Sequence, residues 1–179
     1  MAVRAFVSIP VPNAAGLEPF ARDLRMVRGV RVPPLDGMHI TLCFVGEVDE
    51  RRIDDVEAAV ASAVSGIGPG RVTVAGSGAF PRGRDPRVVW AGVRSELPLA
   101  AMADGVSRNL AAAGIPFDAK PFKPHITVAR TQRGARLDPL LRKYSGTEFA
   151  TFVCSSVKVM DSELGPRGAV HTVLRSVEL

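Results

Sequence analysis

The sequence predicts an α+β fold in which two similar lobes of mainly antiparallel sheet, with outer helices, flank a central cleft. A four-residue phrase occurs twice, as His-Ile-Thr-Leu at residues 39–42 and as His-Ile-Thr-Val at residues 125–128. Residues 4–45 have the expected order strand, helix and strand, with the repeated phrase on the second strand. Residues 87–130 have the same order. Hairpin-like stretches are too frequent, and βαβ crossovers too few, for a doubly wound parallel sheet.

The first half is expected to begin with a strand at residues 4–9, followed by a helix that Asn13 caps. The first phrase then lies on a strand at residues 38–45. Asp49 is expected to cap a second helix, because apolar residues follow it at helical spacing, namely Ile53, Val56, Val60 and Val64.

The second half contains a glycine-rich stretch with arginines at residues 76–86, which we interpret as a mobile surface loop. A helix is expected between Pro98 and Gly114. The remaining elements are expected to be strands at residues 72–74, 87–93 and 125–130, a short helix at 137–142, and strands at 148–160 and 169–177.

Length and composition favour one ordinary globular domain over residues 1–179. Of the 179 residues, 46% are hydrophobic and 23% charged. The formal net charge is +5, and most of the basic residues are arginine, whose planar fork suits phosphate. An RNA or nucleotide partner would explain this arginine-rich positive charge. The arginine-rich composition of proteins from GC-rich genomes would explain it equally.

No feature of the sequence indicates a membrane or an export route. The N-terminus lacks the pattern of a signal peptide, and no apolar run approaches the ~20 residues that span a bilayer. Cys43 and Cys154 are therefore expected to be reduced thiols in a cytoplasmic protein. We expect a monomer.

Alternate side chains of a strand share one face. Each phrase therefore presents an imidazole beside a hydroxyl, His39 with Thr41 and His125 with Thr127, while its two apolar residues enter the core. Two such pairs facing one cleft would supply an acid, a base and two neutral hydrogen-bond donors.

The chain resembles the two-histidine (2H) phosphoesterase superfamily, which carries two His-x-Thr/Ser-x motifs on opposed lobes. It is similar in particular to the bacterial and archaeal RNA 2′,3′-cyclic phosphodiesterases, historically named 2′-5′ RNA ligases. The similarity covers nearly the full length and lies in residues 4–10, 38–47, 87–92 and 121–130. One departure is His171, where that family usually has an aromatic residue, often tyrosine.

The resemblance implies metal-independent hydrolysis of RNA 2′,3′-cyclic phosphate ends, in which the 3′ oxygen leaves and a 2′-phosphomonoester remains. We assign His39 as general acid and His125 as general base, and the pseudo-symmetry leaves the opposite assignment open. Thr41 and Thr127 would donate to the non-bridging oxygens. The reverse reaction would be a 2′-5′ RNA ligation.

The resemblance further implies that Phe44 and Arg130 contact the terminal nucleobase. Each lies five residues after its histidine, so strict alternation would place it on the opposite face, and the strand must twist or bulge there. The alternative is that Phe44 lies in the core and Arg130 on the surface.

No cofactor is expected. No metal site is expected either, because apart from Cys43 no other His, Cys or carboxylate side chain lies two residues from either motif. His171 is interpreted as structural. Arg82, Arg84 and Arg87 would either guide RNA phosphates or form a solvated loop.

Other functions stay open from the sequence alone. The same scaffold could act on a small cyclic nucleotide, an ADP-ribose cyclic phosphate or a 2′-5′ oligoadenylate. A non-catalytic RNA-binding module is the alternative from a different class.

Overall fold

The computed structural model describes all residues, 1–179, and its strands form one nine-stranded antiparallel sheet. The sheet order is β7-β4-β5-β6-β3-β1-β8-β9, with β2 paired beside β6. The strands are β1 Ala2–Pro10, β2 Val30–Arg31, β3 His39–Asp49, β4 Gly70–Phe80, β5 Val88–Ser95, β6 His125–Thr131, β7 Glu148–Cys154, β8 Ser156–Gly165 and β9 Gly168–Glu178.

Four helices accompany the sheet, namely α1 Glu18–Arg25, α2 Ile53–Ala63, α3 Leu99–Ala112 and α4 Asp138–Tyr144. None of them is both long enough and apolar enough to cross a bilayer.

The sheet consists of two similar lobes, which confirms the predicted fold class. The first lobe has the order β3-β1-β8-β9, and the second has the matching order β6-β5-β4-β7. The two lobes meet where β3 lies antiparallel to β6, at the single pair formed by Ile40 and Ile126. The two motif strands therefore lie side by side at the centre of the molecule.

Each crossover helix packs on the lobe opposite to the one its own strands build. Helix α1 connects β1 to β3 but contacts α4, β2 and β6 of the second lobe, where Phe20 stacks on Phe149 at 5.6 Å. Helix α3 connects β5 to β6 but packs against α2 and β3 of the first lobe. On α3, Asn109 donates to the carbonyl of Ala59 at 3.0 Å.

The sheet is strongly curled. Strands β7 and β8 belong to different lobes and are separated by five strands in the sheet order, yet only Ser155 separates them along the chain. The ends of the sheet must therefore approach each other. The sequence predicted one strand at residues 148–160, and this was wrong, because the break at Ser155 carries the chain from one lobe to the other.

Two predicted helix caps belong instead to short 3-10 turns. The side chain of Asn13 accepts from the backbone N–H of Ala15 at 3.1 Å, and α1 begins only at Glu18. Asp49 accepts from the N–H of Arg51 at 2.9 Å, and a turn at residues 50–52 leads into α2. Both side chains bind backbone donors that a helix start leaves free.

The predicted loop at residues 76–86 is shorter than expected, because its first five residues complete β4. Gly78 pairs with Trp90, and a Cβ atom at Gly78 would overlap the indole ring. Gly76 lies in the left-handed region, with φ 79°, within an irregularity of the β4–β5 pairing. Gly78 permits the close approach of the Trp90 ring, and Gly76 permits the bulge. Neither glycine marks a loop.

Candidate active site

The two motif strands place four side chains around their meeting point. Because β3 and β6 run antiparallel through the pair Ile40–Ile126, each histidine lies toward the threonine of the other motif. His39, Thr41, His125 and Thr127 are all half-buried, while the isoleucines between them are fully buried. The predicted division between cleft face and core face is therefore present in both strands.

A bulge occurs at the same place in both motif strands. Val7 pairs with Cys43 and Ser8 with Thr41, so β3 advances two residues while β1 advances one. The β5–β6 pairing shows the same shift, between residue 129 and Thr127. An inserted residue reverses the facing of everything beyond it.

The bulges return Phe44 and Arg130 to the exposed side of their strands despite the odd spacing. The residues at positions 42–43 and 128–129 are buried as consecutive pairs. Phe44 is 52% exposed, and Arg130 is also exposed. Phe44 therefore does not lie in the core.

The ring of each motif histidine is oriented by a hydrogen bond to the backbone carbonyl two residues before it. The Nδ1 of His39 lies 2.8 Å from the carbonyl oxygen of Gly37, and the Nδ1 of His125 lies 2.6 Å from that of Lys123. A carbonyl oxygen only accepts, so each Nδ1 carries the proton and donates it. Each Nε2 is therefore the atom left for proton exchange with a ligand.

The surroundings of His39 disfavour its charged form. The rings of Phe6 and His171 lie 5.0 Å and 5.3 Å from the His39 ring, centroid to centroid. Burial lowers the pKa of His39, and the nearby His171 and His125 lower it further by repulsion, whereas the bond to Gly37 opposes them. Neutral His39 is thus favoured in the free protein.

His171 shares this pocket. Its ring lies edge-on to Phe6 at 5.0 Å, and its buried Nδ1 has no hydrogen-bond partner. Burial lowers the pKa of His171 as well. The third histidine of the chain thus stands beside the first motif, a position that no motif in the sequence indicates.

The second motif is bordered by aromatic rings and a cation. Phe80 meets the His125 ring edge-on at 5.1 Å and lies 5.6 Å from Trp90. The Lys123 ammonium lies 4.9 Å above the centre of the Phe80 ring. Sequence reasoning missed Phe80, because its place beside His125 depends on the continuation of β4 through residues 76–80.

The two motif hydroxyls have no partner within the protein. The threonine hydroxyls that bond internally are those of Thr73, Thr131 and Thr151. The hydroxyls of Thr41 and Thr127 are therefore available to a ligand in the cleft. Cys43, in contrast, packs near Ser107, and burial raises the pKa of its thiol, which disfavours a thiolate nucleophile.

No group of three or more His, Cys, Asp or Glu side chains is arranged to hold a metal ion. The site contains two oriented imidazoles, two free hydroxyls and the exposed residues Phe44 and Arg130. Two opposed His-x-Thr-x strands on pseudo-symmetric lobes define a two-histidine phosphoesterase.

The model of the 2′-5′ RNA ligase superfamily matches residues 14–166, and the chain belongs to this superfamily. An Archaeoglobus fulgidus protein named RNA 2′,3′-cyclic phosphodiesterase is 33% identical over 98% of this chain and 100% of its own length. A Thermus thermophilus protein of the same name is 35% identical over 99% of this chain and 90% of its own.

Solved structures share the whole fold. A crystal structure of a Thermus thermophilus protein superposes with a TM-score of 0.83 at 30% identity, covering 98% of this chain and 97% of that one. Escherichia coli LigT complexed with 3′-AMP gives a TM-score of 0.75 at 21% identity, over 99% and 98% of the two chains.

Proposed function

We propose that the protein hydrolyses the 2′,3′-cyclic phosphate ends of RNA to 2′-phosphomonoesters without a metal ion. The observation that carries this proposal is the pair of matched histidines, each with Nδ1 bound to a backbone carbonyl and Nε2 directed away from that bond. The full-length similarity to proteins named RNA 2′,3′-cyclic phosphodiesterase supports the choice of substrate.

Ring opening requires two proton transfers, and two imidazoles can divide them. His125 Nε2 takes a proton from the water that attacks phosphorus. His39 Nε2 gives a proton to the departing 3′ oxygen, so the P–O3′ bond breaks as the P–O(water) bond forms. Each histidine ends in the other's starting state, and a 2′-5′ ligation would use the same groups with exchanged roles.

The threonines act on the phosphate rather than on protons. The free hydroxyls of Thr41 and Thr127 donate to the two non-bridging oxygens, where negative charge concentrates as water attacks. Their approach from opposite strands matches the symmetry of a cyclic phosphate, which presents two such oxygens.

The acid role of His39 depends on the bound substrate. Burial and the neighbouring histidines lower the pKa of His39 in the free protein, so its neutral form is favoured there. A phosphate anion beside the ring favours the imidazolium and moves the pKa of His39 upward again. Substrate binding thus charges the acid that the reaction needs.

Phe44 and Arg130 hold the terminal base in this proposal. Both are exposed, they occupy equivalent positions of the two bulged strands, and they lie on the side of the histidines. An aromatic face and a guanidinium can hold any base between them, so little sequence preference is expected.

The deciding experiment uses purified protein with excess EDTA and an oligoribonucleotide that ends in a 2′,3′-cyclic phosphate. The wild type is expected to produce a 2′-phosphate. His39→Gln and His125→Gln should each lose about 10²-fold or more of the rate, as for removal of an acid or base. Release of a 3′-phosphate, or full activity of both variants, would contradict the mechanism.

We further propose that the protein is a cytoplasmic monomer. Both cysteines are free and buried, as fits a reducing compartment. Light scattering after size exclusion should give a mass near 19.0 kDa.

A further inference from the structure

A cavity of about 760 Å³ lies beside the active site in the second lobe. It is bordered by the connection between β4 and β5 and by the segment that leads into α4. Three arginines line it, Arg82, Arg84 and Arg136, and Trp90 forms part of its wall. None of these residues belongs to the catalytic group described above.

The three arginines have no partner in the protein. Two neighbouring arginines are occupied, because Asp85 lies 3.3 Å from Arg87 and 3.7 Å from Arg133. Arg82, Arg84 and Arg136, in contrast, form neither an ion pair nor a side-chain hydrogen bond. Asp138 is the single carboxylate in the lining, so the three arginines leave the cavity with a formal charge of +2.

The free guanidinium groups give the cavity hydrogen-bond donors that lack acceptors. Arg82 and Arg84 lie on the connection between β4 and β5 and Arg136 lies on the segment before α4, so donors from two separate segments line one cavity. An acceptor-rich anionic ligand would satisfy these donors. Phosphate oxygens fit this description, because guanidinium forks bind them in pairs.

Trp90, which lines the cavity, is also a neighbour of the second motif. Trp90 pairs across the sheet with Thr127. Phe80 touches both Trp90 and the His125 ring, and Lys123 lies over Phe80. The contacts that lead from His125 through Phe80 to Trp90 therefore end at the wall of the cavity.

The chemistry of the proposed substrate requires such an extension. A 2′,3′-cyclic phosphate occupies both the 2′ and the 3′ oxygens of the last nucleotide. The strand therefore continues only through the 5′ oxygen of that nucleotide, and every further phosphate leaves the cleft in this direction. Aromatic rings followed by unpaired cations are the elements that hold single-stranded nucleic acid.

We infer that the cavity lined by Arg82, Arg84 and Arg136 binds the RNA segment on the 5′ side of the cyclic end. The arginines hold its phosphates, and the rings of Phe80 and Trp90 border the path of its bases. This inference rests on the proposed function. It makes an RNA strand a better substrate than a single cyclic nucleotide.

The test compares two substrates in the wild type and in the triple variant R82A/R84A/R136A. One substrate is a nucleoside 2′,3′-cyclic phosphate, and the other is a pentaribonucleotide with the same cyclic end. The variant should lose about 10-fold or more of kcat/KM on the pentanucleotide, as expected for several lost charge-assisted contacts. Its kcat/KM on the nucleoside should stay within about 2-fold of wild type, because screened surface charges act weakly at a distance.

The salt dependence gives a second readout. Each phosphate contact contributes a slope of about −0.7 to log K against log salt for a single strand, so the triple variant should have a shallower slope. Arg108→Ala is the matched control, since Arg108 is an exposed arginine on α3 that pairs with Asp104 at 3.0 Å. Equal loss on both substrates, or an unchanged pentanucleotide rate, would overturn the inference.

Failure of the proposed function has a different signature. If the wild type opens neither substrate, the proposed reaction is wrong, and binding then decides the inference. Fluorescence anisotropy with a labelled pentanucleotide 2′-phosphate should show weaker binding to the triple variant than to wild type and Arg108→Ala. Equal affinities would overturn it.

Discussion

The ring of His171 stands perpendicular to the ring of His39, with their centroids 5.3 Å apart. Both rings pack on Phe6, and the Nδ1 of His171 has no partner. A second titratable ring thus replaces the aromatic residue expected at this position, and its proton affects the motif histidine.

His171→Phe should raise the pKa of His39. The phenyl ring keeps the packing on Phe6 but removes the repulsion that lowers the pKa of His39. The change is measured by NMR titration of the His39 ring protons. His171→Tyr is the matched control, because it is also uncharged near neutral pH and should shift the pKa in the same direction. A lower pKa in His171→Phe would contradict this electrostatic account.

The free energy of unfolding should decrease on acidification below about pH 6.5, the ordinary histidine pKa. The folded-state pKa values of His39 and His171 are lowered, so the unfolded chain binds these protons first. The stability that the neutral rings contribute is therefore present above about pH 6.5 and is lost as the pH falls toward the folded-state values.

Urea unfolding at several pH values between about 8 and 5 measures this loss, since that range brackets the ordinary histidine pKa. The double variant H39N/H171F should have a flatter profile over this range, because both titrating rings are gone. A wild-type profile as flat as that of the double variant would show that neither pKa is lowered.

Replacing the 3′ bridging oxygen of the cyclic phosphate by sulfur should restore activity to one histidine variant only. A thiolate leaves without a proton, since the pKa of a thiol is only about 8.5. His39→Gln should therefore recover most of its lost rate on the sulfur substrate, while His125→Gln should not. Recovery in His125→Gln instead would exchange the acid and base assignments.

Phe44→Ala should weaken substrate binding with little effect on folding. Loss of a base-stacking contact costs about 1–3 kcal/mol, which raises KM roughly 5- to 150-fold. Phe44 is half exposed, so its contribution to the core is small. Val153→Ala on β7 provides a comparably exposed apolar control. An unchanged KM for Phe44→Ala would remove Phe44 from the binding site.

Gly78→Ala should displace Trp90 and destabilise the fold by about 1–3 kcal/mol, the usual cost of overpacking. The added methyl group would overlap the indole, whereas Gly68→Ala has nothing within 4 Å and should change little. Thermal unfolding measures the cost, and the emission of the single tryptophan reports the displacement. Equal stability of the two variants would contradict the close packing at Gly78.

The sequence predicted the two lobes and the four motif side chains because the repeat preserves both residue type and spacing. The strand periodicity also required a distortion before Phe44 and Arg130, and the bulges supply it at Leu42 and Val128. Their existence depends on pairing with β1 and β5, which the local sequence does not encode.

Other features are set by tertiary contacts alone. The glycines at 76 and 78 have the composition of a loop, yet they complete β4 because Trp90 covers Gly78. His171 reaches His39, although the two residues are distant in the sequence, because β9 returns beside β8. Strand β2 has only two residues and pairs with the distant β6, so no periodicity marks it.

The exchange of helices α1 and α3 between the lobes makes each half of the sheet depend on the other. Helix α1 follows β1 of the first lobe yet contacts β6 of the second, and α3 follows β5 of the second lobe yet contacts β3 of the first. Separating the lobes would therefore remove from each one a helix that packs on it. The two motifs, with their different neighbours His171 and Phe80, are thus held in one cooperative unit.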